Sequence, residues 1–129
     1  MTITSLKQVK YIPVIGVMFL AGCVASPRDL GPVLPPAEAA ALYATSGYQA
    51  SYRWIRKNVF RVCNYCHPNQ KANMFTYDGI SKLVVPGYPE QSLLYKMVYT
   101  GKMPKGSMRL KKADLQVIYD WIQQGAMNN

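Results

Sequence analysis

The chain has 129 residues, half of them hydrophobic, and its 15 lysines and arginines outnumber 6 acidic residues for a formal net charge of +9. This length excludes a multidomain protein. Ten tyrosines, nine prolines and only three phenylalanines leave a modest apolar content for a core. A small domain of this composition is expected to need a further stabilising element.

The first 22 residues resemble an export signal. Lys7 and Lys10 form a short positive segment, and the apolar run at residues 11–21 is too short to span a bilayer comfortably. The run ends in Leu20-Ala21-Gly22-Cys23, which resembles a bacterial lipobox, where the cysteine is lipidated and becomes the new N-terminus. An ordinary secretory signal that contains a cysteine and an uncleaved anchor are the alternatives.

On the lipoprotein interpretation, residues 1–22 are removed and Cys23 anchors the chain to a membrane of the bacterial cell envelope, facing the periplasm. Val24 follows the cysteine, and by resemblance to enterobacterial sorting rules this favours the outer over the inner membrane. Residues 23–47 are rich in proline and alanine, which predicts a tether; its stretch 36–44 is compatible with a short helix. Export argues against nucleic-acid binding despite the positive charge.

Residues 63–67 read Cys63-Asn64-Tyr65-Cys66-His67. Two thiols at this spacing can each add across one vinyl group of a haem, and a histidine directly after the second is held where its imidazole can coordinate the iron. The motif therefore predicts one covalently attached haem c. With lipid on Cys23, no thiol would remain free in an oxidising compartment. A bound porphyrin would also supply part of the core.

Other uses of these residues explain the sequence less well. A structural zinc site needs four cysteine or histidine ligands, and the chain has a single histidine. A thioredoxin-like motif is usually embedded in a βαβ pattern, which is absent here. A disulfide between Cys63 and Cys66 remains open as an alternative.

The domain is predicted to cover residues 48–129, and its first helix runs into the haem motif. Apolar residues recur at helical spacing on one face of this helix, at Tyr52, Ile55, Val59 and Val62. Another face carries a basic row, Arg53, Lys57 and Arg61, which is either a solvated face or a docking surface.

Two further helices are predicted after a loop at residues 69–73 and a short helical turn at residues 78–85. One begins at Pro89 and ends at Gly101, with inward side chains at Leu93, Leu94, Met97 and Val98. The last covers residues 111–124 and ends before Gly125, with a buried stripe at Leu115, Ile118, Tyr119 and Ile122 that Trp121 flanks. No strand pattern is present, so the predicted fold is all-α, with three to four helices around one haem.

Three helices that bracket a Cys-x-x-Cys-His motif, with a methionine-bearing loop before the last helix, resemble the class I monohaem cytochrome c family over residues 48–126. After the haem motif, the most specific segments are Gly101-Lys102-Met103-Pro104-Lys105-Gly106 and residues 120–126. The resemblance implies that the first and last helices cross and pack together. It also implies that the Met-Pro loop supplies a ligand to the iron.

The second axial ligand must be another donor, because His67 is the only histidine. Met103 is predicted, since Pro104 stiffens the backbone after it and flanking glycines let the loop approach a porphyrin closely. Met108, in the same loop, is the competitor. The other methionines considered have plainer roles: Met97 in the core, Met74 too near His67 to reach the opposite haem face, and Met127 in the tail.

These features predict an electron carrier rather than an enzyme, because no second histidine is present to act as a distal acid or base. Lys102 and Lys105 beside Met103 would attract an acidic docking face on redox protein partners, or would simply keep a loop soluble. Two alternatives remain. One is a haem sensor or small haem enzyme with an open distal iron site, and the other is an accessory cytochrome subunit of a larger oxidoreductase.

Overall fold

The computed structural model of the protein describes residues 30–67, 73–74 and 76–129. Within them lie six α-helices and one 3-10 turn: α1 Pro36–Thr45, α2 Tyr52–Asn58, α3 Arg61–Asn64, α4 Tyr77–Ser81, the turn Pro89–Gln91, α5 Leu93–Tyr99 and α6 Lys112–Gln123. These residues contain no strand, so the predicted all-α class is confirmed, whereas the predicted number of three to four helices is too low. The predicted signal peptide, Cys23, and residues 68–72 lie outside the described residues.

Helix α6 is the centre of the packing, because it contacts α1, α2, α5 and the 3-10 turn. Its inward face is fully buried at Val117, Ile118, Trp121 and Ile122. Trp121, which the sequence placed at the edge of this face, is inside it, and its indole N–H donates to the Met127 carbonyl at 2.9 Å. The apolar stripes of α2 and α6 therefore bury one another, as the helical spacing requires. None of the helices in the described ranges is long and apolar enough to cross a bilayer.

The predicted helix before the haem motif is two helices. Ser51 caps α2 by accepting from the Trp54 N–H, and the helix ends at Asn58. The Val59 and Phe60 N–H groups both donate to the Ile55 carbonyl, so the regular hydrogen-bond ladder stops there. This break buries two consecutive apolar side chains, Val59 and Phe60, before α3 begins at Arg61.

Helix α5 differs from its prediction at its N-terminal end. Pro89 begins a separate 3-10 turn, and the Ser92 hydroxyl accepts from the Val85 N–H and donates to the Tyr88 carbonyl. The predicted inward position of Leu93 is wrong, because this side chain is 48% exposed while Leu94, Tyr95 and Val98 are buried. The C-terminal end was predicted correctly: Gly101 follows α5 with a φ of 69°, which favours glycine.

The segment at residues 30–46, assigned from its composition to the tether, contacts the helical domain. The Val33 and Leu34 N–H groups both donate to Gln116 Oε1 at 2.8 Å. The Tyr95 hydroxyl donates to the Gly31 carbonyl at 2.9 Å, and α1 packs against α6. Residues 30–46 are therefore fixed to the domain, and a free tether remains a prediction only for residues before them.

Candidate haem-binding site

One helical turn brings together the three residues of the predicted attachment motif. The N–H groups of Cys66 and His67 both donate to the Cys63 carbonyl, at 3.2 and 3.0 Å. Residues three and four positions apart lie on the same side of such a turn. Cys63, Cys66 and His67 therefore share one side at the C-terminal end of α3.

The two thiols are free and lie in different environments. Cys63 is partly buried against the core, whereas Cys66 is exposed. Burial raises the pKa of the Cys63 thiol to about 11, so this group is a neutral thiol at neutral pH. The disulfide between Cys63 and Cys66, the alternative that the sequence left open, is not formed in this structure.

His67 has a buried nitrogen without a hydrogen-bond partner. The ring is half-buried, and Nδ1 is enclosed with no protein atom to donate to it or accept from it. Buried polar atoms in native proteins almost always have a partner, and ordered water is among the partners that satisfy them. Two free thiols and an adjacent imidazole on one helical turn are the donor set that haem c requires. The described residues hold no group of three or more His, Cys, Asp or Glu side chains that could bind a metal ion.

The loop between α5 and α6 places its two methionines differently. The Met103 N–H donates to the Met97 carbonyl at 3.0 Å, and the Met103 side chain packs against the core. Met108 is 54% exposed. Arg109 donates to the Gly106 and Met108 carbonyls, which fixes the backbone between the two methionines. Of the two candidate ligands, only Met103 is positioned by packing.

Two features near the motif were missed from the sequence. Gly79 lies in α4, where a Cβ atom would overlap the Asn73 carbonyl oxygen, so only glycine lets the chain after the motif pack on this helix. Asn64, inside the motif, is buried although its neighbour Tyr65 is exposed. A glycine within a short helix is a detectable signal, whereas nothing local marks Asn64. Met74 is also buried in the core.

The predicted basic positions are exposed. Arg53, Lys57 and Arg61 lie on the surface of α2 and α3, and Lys102 and Lys105 lie on the loop around Met103. No family model, curated protein or solved structure matches this chain. The resemblance to class I cytochromes c therefore depends on the motif residues and their arrangement.

Proposed function

We propose that this protein is a monohaem c-type cytochrome that transfers electrons in the bacterial cell envelope. Cys63 and Cys66 would hold the haem covalently, and His67 would be its first axial ligand. The observation that carries the proposal is a single helical turn that brings together two free thiols and the histidine that follows them. When bound, haem c supplies a one-electron cycle between ferric and ferrous iron.

Met103 is proposed as the second axial ligand. Its backbone hydrogen bond to Met97 and its contact with the core hold it in place, and these contacts favour it over the exposed Met108. A thioether is a soft, neutral donor that favours the ferrous state relative to a second imidazole. With two protein ligands, the site would exchange electrons without binding a substrate.

The remaining parts of the proposal concern location and partners. A lipid on Cys23 would keep the carrier close to its donors and acceptors at the membrane and raise its effective concentration there. Exposed Lys102 and Lys105 flank the proposed ligand. Two cations in this position favour encounter with an acidic face on a redox protein.

The first test is an optical spectrum of the haem-loaded protein, oxidised and reduced, beside Met103→Ala and the matched control Met108→Ala. We expect the weak long-wavelength charge-transfer band of methionine-ligated ferric haem in the parent and in Met108→Ala, and its loss in Met103→Ala. Haem staining after denaturing electrophoresis tests the covalent bonds. Cys63→Ser with Cys66→Ser should abolish it.

Other results of these experiments would assign the protein to a different class or reject the proposal. A high-spin parent that binds carbon monoxide or cyanide rapidly would have an open iron position, and the sensor or haem-enzyme hypothesis would replace electron transfer. Loss of the band in Met108→Ala alone would reassign the ligand to the exposed methionine. Absence of covalent haem in the parent would reject the whole proposal.

A further inference from the structure

A pocket of about 360 Å³ opens on the surface that α2 and α3 form together. Four cations and one amide line it: Arg53, Arg56, Lys57, Arg61 and Asn64. We call this cavity the α2–α3 pocket. No acidic side chain is among its lining residues. The break after α2 matters here, because it places two residues of α3 beside the cations of α2.

The amide in the α2–α3 pocket is buried and unsatisfied. Asn64 is only 8% exposed, and neither its Nδ2 nor its Oδ1 has a hydrogen-bond partner. A buried amide in a native protein is normally hydrogen-bonded, so both atoms need an explanation beyond packing. Asn64 Nδ2 can donate to a ligand, and its Oδ1 can accept from a guanidinium that reorients around that ligand.

The cations of the pocket form no salt bridge with a carboxylate among the described residues. Within the described part of the chain, the ion pair is Lys82 with Asp78, so no carboxylate neutralises Arg53, Arg56, Lys57 or Arg61. Four like charges around one cavity repel one another. The apolar stems of these side chains supply most of the cavity wall, and their charged ends are exposed at its rim. A bound anion would reduce the repulsion and would accept hydrogen bonds from the charged ends that turn toward it.

We propose that the α2–α3 pocket binds a phosphate-type oxyanion. Arginine presents a rigid fork of donors that matches phosphate oxygens in pairs, and lysine adds a point charge. Three arginines, a lysine and an amide offer more hydrogen-bond donors than the two oxygens of a single carboxylate can accept. Free phosphate and the phosphate of a lipid headgroup have the same chemistry, and both are sources for this ligand. The inference does not depend on haem attachment.

The test is a calorimetric titration of the full-length protein with inorganic phosphate at constant ionic strength. We expect saturable binding at one site, competition by sulfate, and no competition by chloride. Arg56→Gln with Arg61→Gln should weaken binding at least tenfold, since each change removes charge-assisted hydrogen bonds. The matched control is Lys102→Gln with Lys105→Gln, which removes the same charge elsewhere and should leave the affinity unchanged.

Asn64→Leu tests whether phosphate binds at a specific site or only to a positively charged surface. We expect weaker phosphate binding by several-fold with an unchanged helical circular dichroism spectrum. If this buried substitution prevents folding, the two double variants decide the matter, because all four of their side chains are exposed. Equal losses in the two double variants, or binding that does not saturate, would reduce the effect to net charge and overturn the proposal.

One further probe distinguishes the source of the ligand, and a second tests whether the pocket is instead a protein-docking surface. Glycerophosphoglycerol, a soluble lipid headgroup, should bind as tightly as phosphate if the natural ligand is a phosphodiester at the membrane. A clear preference for inorganic phosphate would assign the pocket to the free ion, and either result supports an oxyanion site. Binding of an oligoglutamate peptide without any binding of phosphate would overturn the proposal in favour of a protein-docking surface.

Discussion

Trp121 shows how much of the core depends on one residue. It is 0% exposed, its ring lies 6.1 Å from that of Tyr52, and its indole N–H is satisfied by the Met127 carbonyl. We expect Trp121→Ala to lower the free energy of unfolding by about 3–5 kcal/mol, because it leaves a large cavity in a packed interior. Trp121→Phe should cost less, since it keeps most of the volume. Urea unfolding followed by circular dichroism measures both.

Trp54 is the control for this prediction. It is only half-buried and lies 4.7 Å from the Tyr48 ring, centroid to centroid. Trp54→Phe should therefore cost roughly 1 kcal/mol or less. Equal losses for the two tryptophans when each is changed to phenylalanine would contradict the view that α6 forms the centre of the packing.

At the scale of elements, Gln116 joins α6 to the chain before α1. Its Oε1 accepts from the Val33 and Leu34 N–H groups, and its Nε2 donates to Asp120 at 3.0 Å. Gln116 is 2% exposed, so Gln116→Ala leaves two backbone donors unsatisfied. We expect a loss of about 1–3 kcal/mol and faster hydrogen exchange at the Val33 and Leu34 amides.

The matched control is Gln123→Ala, an exposed glutamine on the same helix. It should change the unfolding free energy by less than about 0.5 kcal/mol and leave the amides of residues 33 and 34 protected. Unchanged exchange at these amides in Gln116→Ala would contradict a fixed N-terminal segment. That outcome would return residues 30–34 to the predicted tether.

The contact between α1 and α6 should make the fold sensitive to alkaline pH. The Tyr43 hydroxyl donates to Asp120, and burial followed by this hydrogen bond and the Asp120 charge raises the pKa of Tyr43 above its ordinary value of 10.0. The folded state therefore holds this proton more tightly than the unfolded state does. The resulting stability is complete below the ordinary tyrosine pKa and is lost as the pH rises above it.

Tyr43→Phe tests whether ionisation of this tyrosine lowers the stability of the fold at alkaline pH. At about pH 8 the variant should be less stable by roughly 0.5–1.5 kcal/mol, because it lacks the hydrogen bond. Between about pH 8 and pH 11 its stability should fall less than that of the parent, since it has no phenol to ionise at this position. Burial also raises the pKa of Tyr95, but this group is present in both chains and cancels in the comparison. Parallel pH profiles would contradict the prediction.

The elements that the sequence predicted best are those with local signals. The last helix was predicted at residues 111–124 and is observed at Lys112–Gln123, with Gly125 just beyond its end. Its predicted buried face was right at Ile118 and Ile122 but wrong at Leu115 and Tyr119, which are only partly buried. The break at Val59 and Phe60 was missed, since both residues suit a helix and only tertiary packing separates them. The fixed segment at residues 30–46 was missed for a related reason. Its partners, Gln116 and Tyr95, lie far away along the chain.

The candidate sites also include parts that the sequence predicts and parts that it does not. The motif at Cys63, Cys66 and His67 can be read from five consecutive residues, and the structure shows them on one turn. The α2–α3 pocket could be anticipated only as the basic row of Arg53, Lys57 and Arg61. Arg56 and the buried Asn64 also line the pocket. They lie on either side of the break between α2 and α3, which no local sequence pattern predicts.

At the scale of the whole molecule, burial is most complete around α6. The side chains of Ile55, Val117, Ile118 and Ile122 are fully buried there. The segments with the candidate ligands are held less extensively: His67 has an unsatisfied nitrogen, and Met103 is only partly covered. A covalently bound haem should therefore stabilise the motif and the loop at residues 101–110 more than the helices around α6.

Cys63→Ser with Cys66→Ser tests this division, because serine is nearly the same size as cysteine but cannot form the thioether bonds. We expect a lower thermal midpoint, faster hydrogen exchange at residues 63–67 and 101–110, and retained protection in α6. Loss of protection throughout α6 would mean that the haem is itself the core. If the motif is affected but residues 101–110 are not, the loop does not contact the haem, and Met103 would be excluded as its ligand.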